Sequence, residues 1–194
     1  VRSKLKVGGL VYVSYNALPG WSAAAPMRHL MYLHGRAKGG PTVSRLEPAL
    51  AFVDQMQQAG AAFFRVNPGL KDRFERVKGQ SRNYLAHEYL NDAWTLFYHS
   101  EVATEMSAAK LSFLGSAALL EQVDAINLTP EQQQIMAGIE DPVLRETVRD
   151  YMTNQQFRRD VFVKGPVPLT PQATREALLD RRFALSVART DVTL

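Results

Sequence analysis

Three short stretches carry side chains able to do chemistry. The first is "YVSYNALPGW", where an apolar run gives way to a turn and places Ser14, Tyr15, Asn16 and Trp21 close together. Tyr and Trp rings can line an apolar channel for a lysine stem or stack on its cation, and an Asn amide can orient an amine. The same residues also read as plain structure, with Asn16, Pro19 and Gly20 making a turn and Trp21 packing the first helix. The second stretch is "HEYL", His87 to Leu90. A zinc-protease helix needs a second His four residues after the first; Asn91 stands there, so the metal reading fails. His87 or Glu88 can still take the proton of a protonated amine, which must be neutral to act as a nucleophile. On a helix Tyr84 and Glu88 share one face, as do Asn83 and His87. The structural alternative is a hydrogen-bonded interface tying this helix to its neighbours. The third stretch, "QQFRRD", offers Arg158, Arg159 and Asp160, which can grip a carboxylate or simply anchor a strand by a local salt bridge. His29, His34 and His99 have no second ligand at metal spacing and are expected to be structural.

The elements that must position these groups follow from residue type. Leu10–Ser14 is a β-branched and aromatic run bounded by glycines and by Asn16, and apolar residues at successive positions predict an interior strand covered on both faces. Met27, Leu30, Met31 and His34 recur at helical spacing up to Gly39–Gly40–Pro41. Leu46, Ala49, Leu50, Val53 and Met56 mark a second helix, with Pro48 expected in its first turn. Residues 61–90 read as two further helices, broken around Asn67–Pro68–Gly69 and Gly79. Ser100 is expected to cap "EVATEMSAAK", which runs into a strand at Leu111–Leu114. Thr129 with Gln132 forms a capping box, Asp141 caps the helix opening at Pro142, and Val161–Val163 is a third strand. Thr170–Pro171 starts a last helix, and residues 182–194 read as extended. Three strands among seven or eight helices leave most of a conventional α/β sheet unaccounted for, so the chain reads as a piece of one, with an open edge.

Composition narrows the function classes. Hydrophobic residues make up 46% and charged residues 22% of the 194, which suits a globular protein with a real core. No apolar run approaches the roughly 18 residues of a membrane span, and no basic-then-apolar leader opens the chain, so a cytoplasmic location and no membrane partner are expected. Cysteine is absent, which excludes disulfides, thiolate catalysis and cysteine–metal sites. Charge is uneven: residues 1–80 hold 12 Lys/Arg against 4 Asp/Glu, and residues 81–194 hold 11 against 15. The densest basic stretch, Arg65–Arg82, reads as a solvated helix face with partners such as Asp72 and Glu75. It lacks the interleaved aromatics of single-strand binding, which disfavours nucleic acid.

Four segments in order, "GGLVYVSYNALPGW", "RNYLAHEYLNDAW", "AAKLSFLGSA" and "NQQFRRDVFVKG", carry a resemblance. They are similar to bacterial class I S-adenosylmethionine-dependent methyltransferases bearing a methyltransferase regulatory domain, a group that includes enzymes similar to protein lysine methyltransferases. "LKVGG" resembles the glycine turn of that fold, with Val7 in place of proline. The resemblance covers residues 5–165. It implies a helix-rich α/β fold: a partial class I methyltransferase sheet of three strands, the last antiparallel, with a large helical insertion. In the seven-strand order 3-2-1-4-5-7-6, Leu10–Ser14 would be the fifth strand, Leu111–Leu114 the sixth and Val161–Val163 the seventh. Residues 1–21 and 99–165 would form the C-terminal half of the sheet with its connecting helices. Residues 22–98 would form an inserted regulatory or lid-like unit, and residues 166–194 an extension.

The resemblance also implies S-adenosylmethionine as cofactor of a full-length enzyme. No strand–GxGxxG–helix unit occurs in this chain, where Gly8–Gly9 precedes a strand rather than following one. The cofactor-binding half is therefore expected on an N-terminal catalytic half of the same polypeptide, and this chain alone is expected to be inactive, with no cofactor or metal of its own. Tyr15, Asn16, Trp21, His87 and Glu88 are the candidate substrate-binding residues, no residue is singled out as catalytic, and a protein is the expected acceptor. The competing expectation is a stand-alone interaction module that dimerises through its open edge.

Overall fold

The computed structural model describes residues 2–182, 184 and 190, so most of the extended segment expected over 182–194 lies outside the described residues. Three strands, β1 (Leu10–Asn16), β2 (Ser112–Ser116) and β3 (Phe157–Val163), form one sheet in the order β1-β3-β2. β3 runs antiparallel to both neighbours, with Leu10 opposite Val163, Tyr15 opposite Arg158 and Ser112 opposite Val163. This order and direction are those the resemblance implies for strands five, seven and six. A register shift between Phe113 and Gly115 bends β2.

One face of the sheet is covered and the other is not. Tyr15, Phe162 and Leu111 pack with Val102 of α6 (His99–Ala108), and α9 (Pro142–Thr153) lies beside α6 on that face. Pleating sends the alternate residues the other way. Leu10 and Tyr12 are each 57% exposed, Leu114 59% and Phe157 45%. The covering of β1 on both faces that its composition predicts is thus absent among the described residues. Among the described residues its second edge meets only Phe97, in a parallel bridge to Ala17 just past the strand's end.

Between β1 and α6 the chain builds a second core from five helices, α1 (Ala25–Lys38), α2 (Thr42–Gln58), α3 (Ala62–Val66), α4 (Gly69–Lys78) and α5 (Arg82–Leu90). The helical stripes do the packing: Leu46, Ala49, Leu50 and Val53 of α2, and Leu70, Phe74 and Val77 of α4, close around Trp21, Met27 and Met31. Residues 61–90 thus hold three helices rather than two, because both predicted breaks end an element. Pro48 lies well inside α2, not in its first turn. The helix reaches back to Thr42, and the carbonyl that Pro48 cannot serve is that of exposed Ser44, where water can take its place.

From β2 the chain passes through α7 (Asp124–Asn127) and α8 (Pro130–Ala137) to α9, and α10 (Pro171–Leu179) follows β3. The Thr129–Gln132 capping box, the Asp141 cap on Leu144 N and the Thr170 cap on Ala173 N all form. Ser100 does not cap α6. That helix starts at His99, and Glu101 reaches back to Tyr98 N at 2.8 Å. Among the described residues no helix is long and apolar enough to cross a membrane.

Candidate functional site

The carboxyl end of β1 is where the sheet and the inserted helices meet. Asn16, the last residue of β1, donates from Nδ2 to Glu88 Oε1 at 2.6 Å, and Trp94 Nε1 donates to the same oxygen at 3.0 Å. One carboxylate oxygen thus collects the strand, α5 and the segment that follows α5. Arg28 of α1 closes the group, with its Nη2 donating to Asn91 O and its guanidinium 4.5 Å from the Trp94 ring centre. Arg28 is buried, and that burial lowers its pKa, while Glu88, Tyr32 and Asp92 pull the other way. Burial, followed by the negative charge of Glu88, raises the Tyr84 phenol.

The candidate residues divide by placement. Asn16 and Glu88, 72 positions apart, are brought into direct contact. His87 is exposed, one residue round the helix from Glu88. Trp21 is 5% exposed, edge-on to Trp94 at 5.2 Å and beneath the Arg73 guanidinium at 4.3 Å; it packs in the core of the helices, and its edge borders an open pocket of about 300 Å³ with Arg73, Tyr84 and Tyr89. Tyr15 is 7% exposed and faces inward, its hydroxyl donating to Asp160 Oδ2 at 2.7 Å. An open groove of about 800 Å³ runs along the free edge of β1, lined by Val13, Ser14, Phe97, Glu101 and Met106 among others.

Arg158 and Asp160 are buried, not surface charges. Arg158 donates to Asp160 Oδ1 at 2.9 Å, to Asp150 Oδ1 at 2.5 Å and to Glu146 Oε2 at 3.0 Å. His99 Nδ1 lies 3.0 Å from Asp160 Oδ2, both side chains fully buried. Burial works to raise the Asp160 carboxyl, but His99, Arg158 and Tyr15 outweigh it and its pKa falls below the ordinary value. For Asp150 burial wins over Arg158 and His99, and its pKa rises to about 6. Burial and the Asp160 charge push the Tyr15 phenol far up, so it stays a neutral donor. Arg159, by contrast, pairs at the surface with Glu121 at 3.1 Å. Among the described residues no group of three or more acidic or histidine side chains stands ready to hold a metal.

Two cations of the basic stretch are seen in ion pairs. Lys78 pairs with Glu75 and Asp54, and Arg82 with Glu47, so α2 supplies two of the partners. Asp72 makes none of these pairs.

Residues 81–164, from the start of α5 to the end of β3, match the family described as "Predicted methyltransferase regulatory domain". This stretch of the chain is similar to a methyltransferase regulatory domain. The matched stretch begins within the helical insertion and takes in Glu88, Trp94, the buried ion cluster and two of the three strands. The chain is 52% identical over 187 residues to an uncharacterized protein of Synechocystis sp., covering 96% of itself and 37% of that protein. An uncharacterized protein of Rickettsia prowazekii is 26% identical over 157 residues, 79% of this chain and 28% of its own length. Among solved structures, PKMT2 from Rickettsia typhi in complex with AdoHcy superposes with a TM-score of 0.73 at 23% identity, over 92% of this chain and 34% of that one. A second structure of PKMT2 gives 0.71 at 23% identity, over 91% and 33%. These structural likenesses establish the methyltransferase-type fold. The chain spans about a third of the length of the relatives it matches.

Trp94, Arg28 and the burial of the Arg158 cluster escaped the sequence reading. The "NDAW" that follows "HEYL" was a signal for Trp94, since an indole N–H six residues past a helical carboxylate can fold back onto it.

Proposed function

We propose that this chain is the regulatory and acceptor-shaping portion of an S-adenosylmethionine-dependent methyltransferase that acts on a protein or another large acceptor. The observation that carries the reading is a stretch similar to a methyltransferase regulatory domain, built onto a sheet whose β1 edge and outer face are uncovered among the described residues. The catalytic half would lie in the same polypeptide, pairing with β1 and holding the methyl donor. The residues present here do not fit that donor, because none of the strands runs through a glycine-rich turn into a helix. AdoHcy in PKMT2 supports the cofactor class. Ligands of open α/β sheets bind beyond the carboxyl ends of the strands, and the Asn16–Glu88–Trp94 group occupies that position on β1.

The chemistry asked of the group is modest. An amine acceptor reaches the site protonated and must lose that proton before it can act as a nucleophile. A carboxylate held on one oxygen by two neutral donors keeps its aim. The test is methyl transfer to protein acceptors by the longer polypeptide, with and without residues 22–98. Activity indifferent to that deletion argues against acceptor shaping, and no methyl transfer to any protein argues against a protein acceptor.

A second reading, a self-associating interaction module, is favoured by the same uncovered face. Light scattering of this chain decides it, since a monomer at high concentration removes that alternative.

A further inference from the structure

One face of α4 carries Arg73, Arg76 and Val77, at the spacing that stacks helical side chains in a row. With Trp21, and with Tyr84 and Tyr89 of α5, they line the open pocket of about 300 Å³. Its lining holds two arginines and no acidic residue. Among the described residues neither arginine makes an ion pair, although Lys78 and Arg82 nearby do. Asp72, one turn before Arg76, forms none with it. Glu75 turns with Lys78 toward a separate groove that Lys71 also lines.

Arg73 is held in place. Its Nη1 donates to Gly20 O at 3.1 Å and its guanidinium lies 4.3 Å from the Trp21 ring centre, which fixes the direction of its remaining N–H groups. Arg76 is exposed. Two like charges one turn apart on one helical face repel, and an anion in the pocket would relieve them. The phenols add donors. Burial raises the pKa of both Tyr84 and Tyr89, so each keeps the O–H that an anion can accept.

A further charge limits what the ligand can be. Glu88 stands one turn on from Tyr84 along the same face of α5. Its negative charge acts on both phenols, as the positive charge of Arg73 does. The phenols thus lie between a cationic end and an anionic one. A nucleic-acid backbone, negative along its whole length, suits the first end and is opposed at the second. A polypeptide that presents an ammonium beside a carboxylate suits both.

We propose that the Arg73–Arg76 pocket binds the carboxylate of an aspartate or glutamate that neighbours the reacting amine in a protein acceptor. The planar Arg73 fork takes the carboxylate, Arg76 adds charge from the rim, and Tyr84 and Tyr89 donate from the wall. That the anion belongs to an acceptor rests on the function proposed above; the anion site itself does not.

The probes are fluorescein-labelled peptides with one lysine and one glutamate, the glutamate moved to successive positions on either side, and their glutamine counterparts. Anisotropy with the longer polypeptide, in the absence of methyl donor, reads binding. The best glutamate peptide should bind at least about tenfold more tightly than its counterpart, and the ratio should fall as salt rises. Arg76→Glu, at an exposed side chain, should bring the ratio to about one or below. Arg73→Lys keeps the charge but loses the fork, and should cut the ratio severalfold. Equal binding or no binding of the two series by the wild type overturns the proposal, as does a ratio that survives Arg76→Glu. A phosphoserine peptide or a single-stranded oligonucleotide that binds where no glutamate peptide does overturns it too, and makes the pocket a phosphate site. The two readings fail separately. Charge preference with no methyl transfer keeps the pocket and removes its acceptor role, whereas methyl transfer indifferent to neighbouring glutamates removes the pocket and leaves the proposed function standing.

Discussion

Asn16 Nδ2 and Glu88 Oε1 lie 2.6 Å apart, so the end of β1 and the last turn of α5 meet through a single hydrogen bond. With Trp94 on the same oxygen, Glu88 is a structural hub, and it is also the carboxylate proposed above to serve the acceptor.

Those two roles separate under substitution. Glu88→Gln keeps an acceptor for both donors and removes only the charge, so denaturant unfolding should match the wild type. Glu88→Ala leaves the Asn16 amide and the Trp94 indole without a partner and should cost about 1–3 kcal/mol. In the longer polypeptide, the proposed acceptor role predicts that Glu88→Gln lowers methyl transfer at unchanged stability. Equal activity would reduce Glu88 to a structural tie.

Gly20→Ala tests the close packing of the turn after β1 on residues 154–156, the link between α9 and β3. The added methyl would meet Gln155 O and C at 2.3 and 2.5 Å, both backbone atoms, so relief requires the 154–156 link to move. Overpacking of this kind costs about 1–3 kcal/mol. Urea unfolding followed by tryptophan emission should show the loss, and a wild-type midpoint would mean the contact is looser than this.

What the sequence disclosed was local. The caps at Thr129, Asp141 and Thr170 could be read because each acts within three residues of its own helix start. The strands could be read because β-branched and aromatic runs such as "LVYV" suit a pleated surface. The α6 start was missed because Tyr98 is no capping type; Glu101 satisfies the open end from inside the helix. Pro48 was misplaced because propensity forbids it mid-helix, while tertiary burial of Leu46, Ala49 and Leu50 overrides that cost. The site was half legible. Residue types marked Asn16 and Glu88 but not their pairing across 72 positions. Nothing in "RRD" tells that Arg158 turns inward and Arg159 outward; alternation along β3 decides it, and that depends on register with β1.

Self-association should follow the uncovered sheet face. Leu10, Tyr12, Leu114 and Phe157 are all more than two-fifths exposed, as the values of 57%, 57%, 59% and 45% indicate. Apolar patches of this sort beside an unpaired strand edge drive association. Leu10→Lys with Leu114→Lys should shift sedimentation toward monomer without changing the unfolding midpoint. Unchanged sedimentation would place any dimer contact elsewhere.

The two buried aspartates predict opposite pH dependences. Asp150 has a folded pKa near 6, above its unfolded value, because burial disfavours its charge more than Arg158 and His99 favour it. The folded state therefore binds this proton more tightly than the unfolded state. Its stabilising contribution is fully present below the unfolded pKa and is lost as pH rises through about 6. Asp160 is depressed by His99, Arg158 and Tyr15 against the pull of burial, so its contribution is present above the unfolded pKa and is lost as pH falls through the lower folded value. Of the two aspartates, only Asp150 should act between the ordinary carboxylate range and neutrality. Urea unfolding of wild type and Asp150→Asn should show the wild type gaining relative stability as pH falls, by at most about 1.4 kcal/mol per pH unit for one proton. Asp160→Asn should instead be costly near neutrality, by about 3–5 kcal/mol, because it leaves Arg158 and His99 short of a buried anion. A wild-type advantage over Asp150→Asn that grows as pH rises would reverse the sign and show that the Arg158 pairing, not burial, governs this carboxylate.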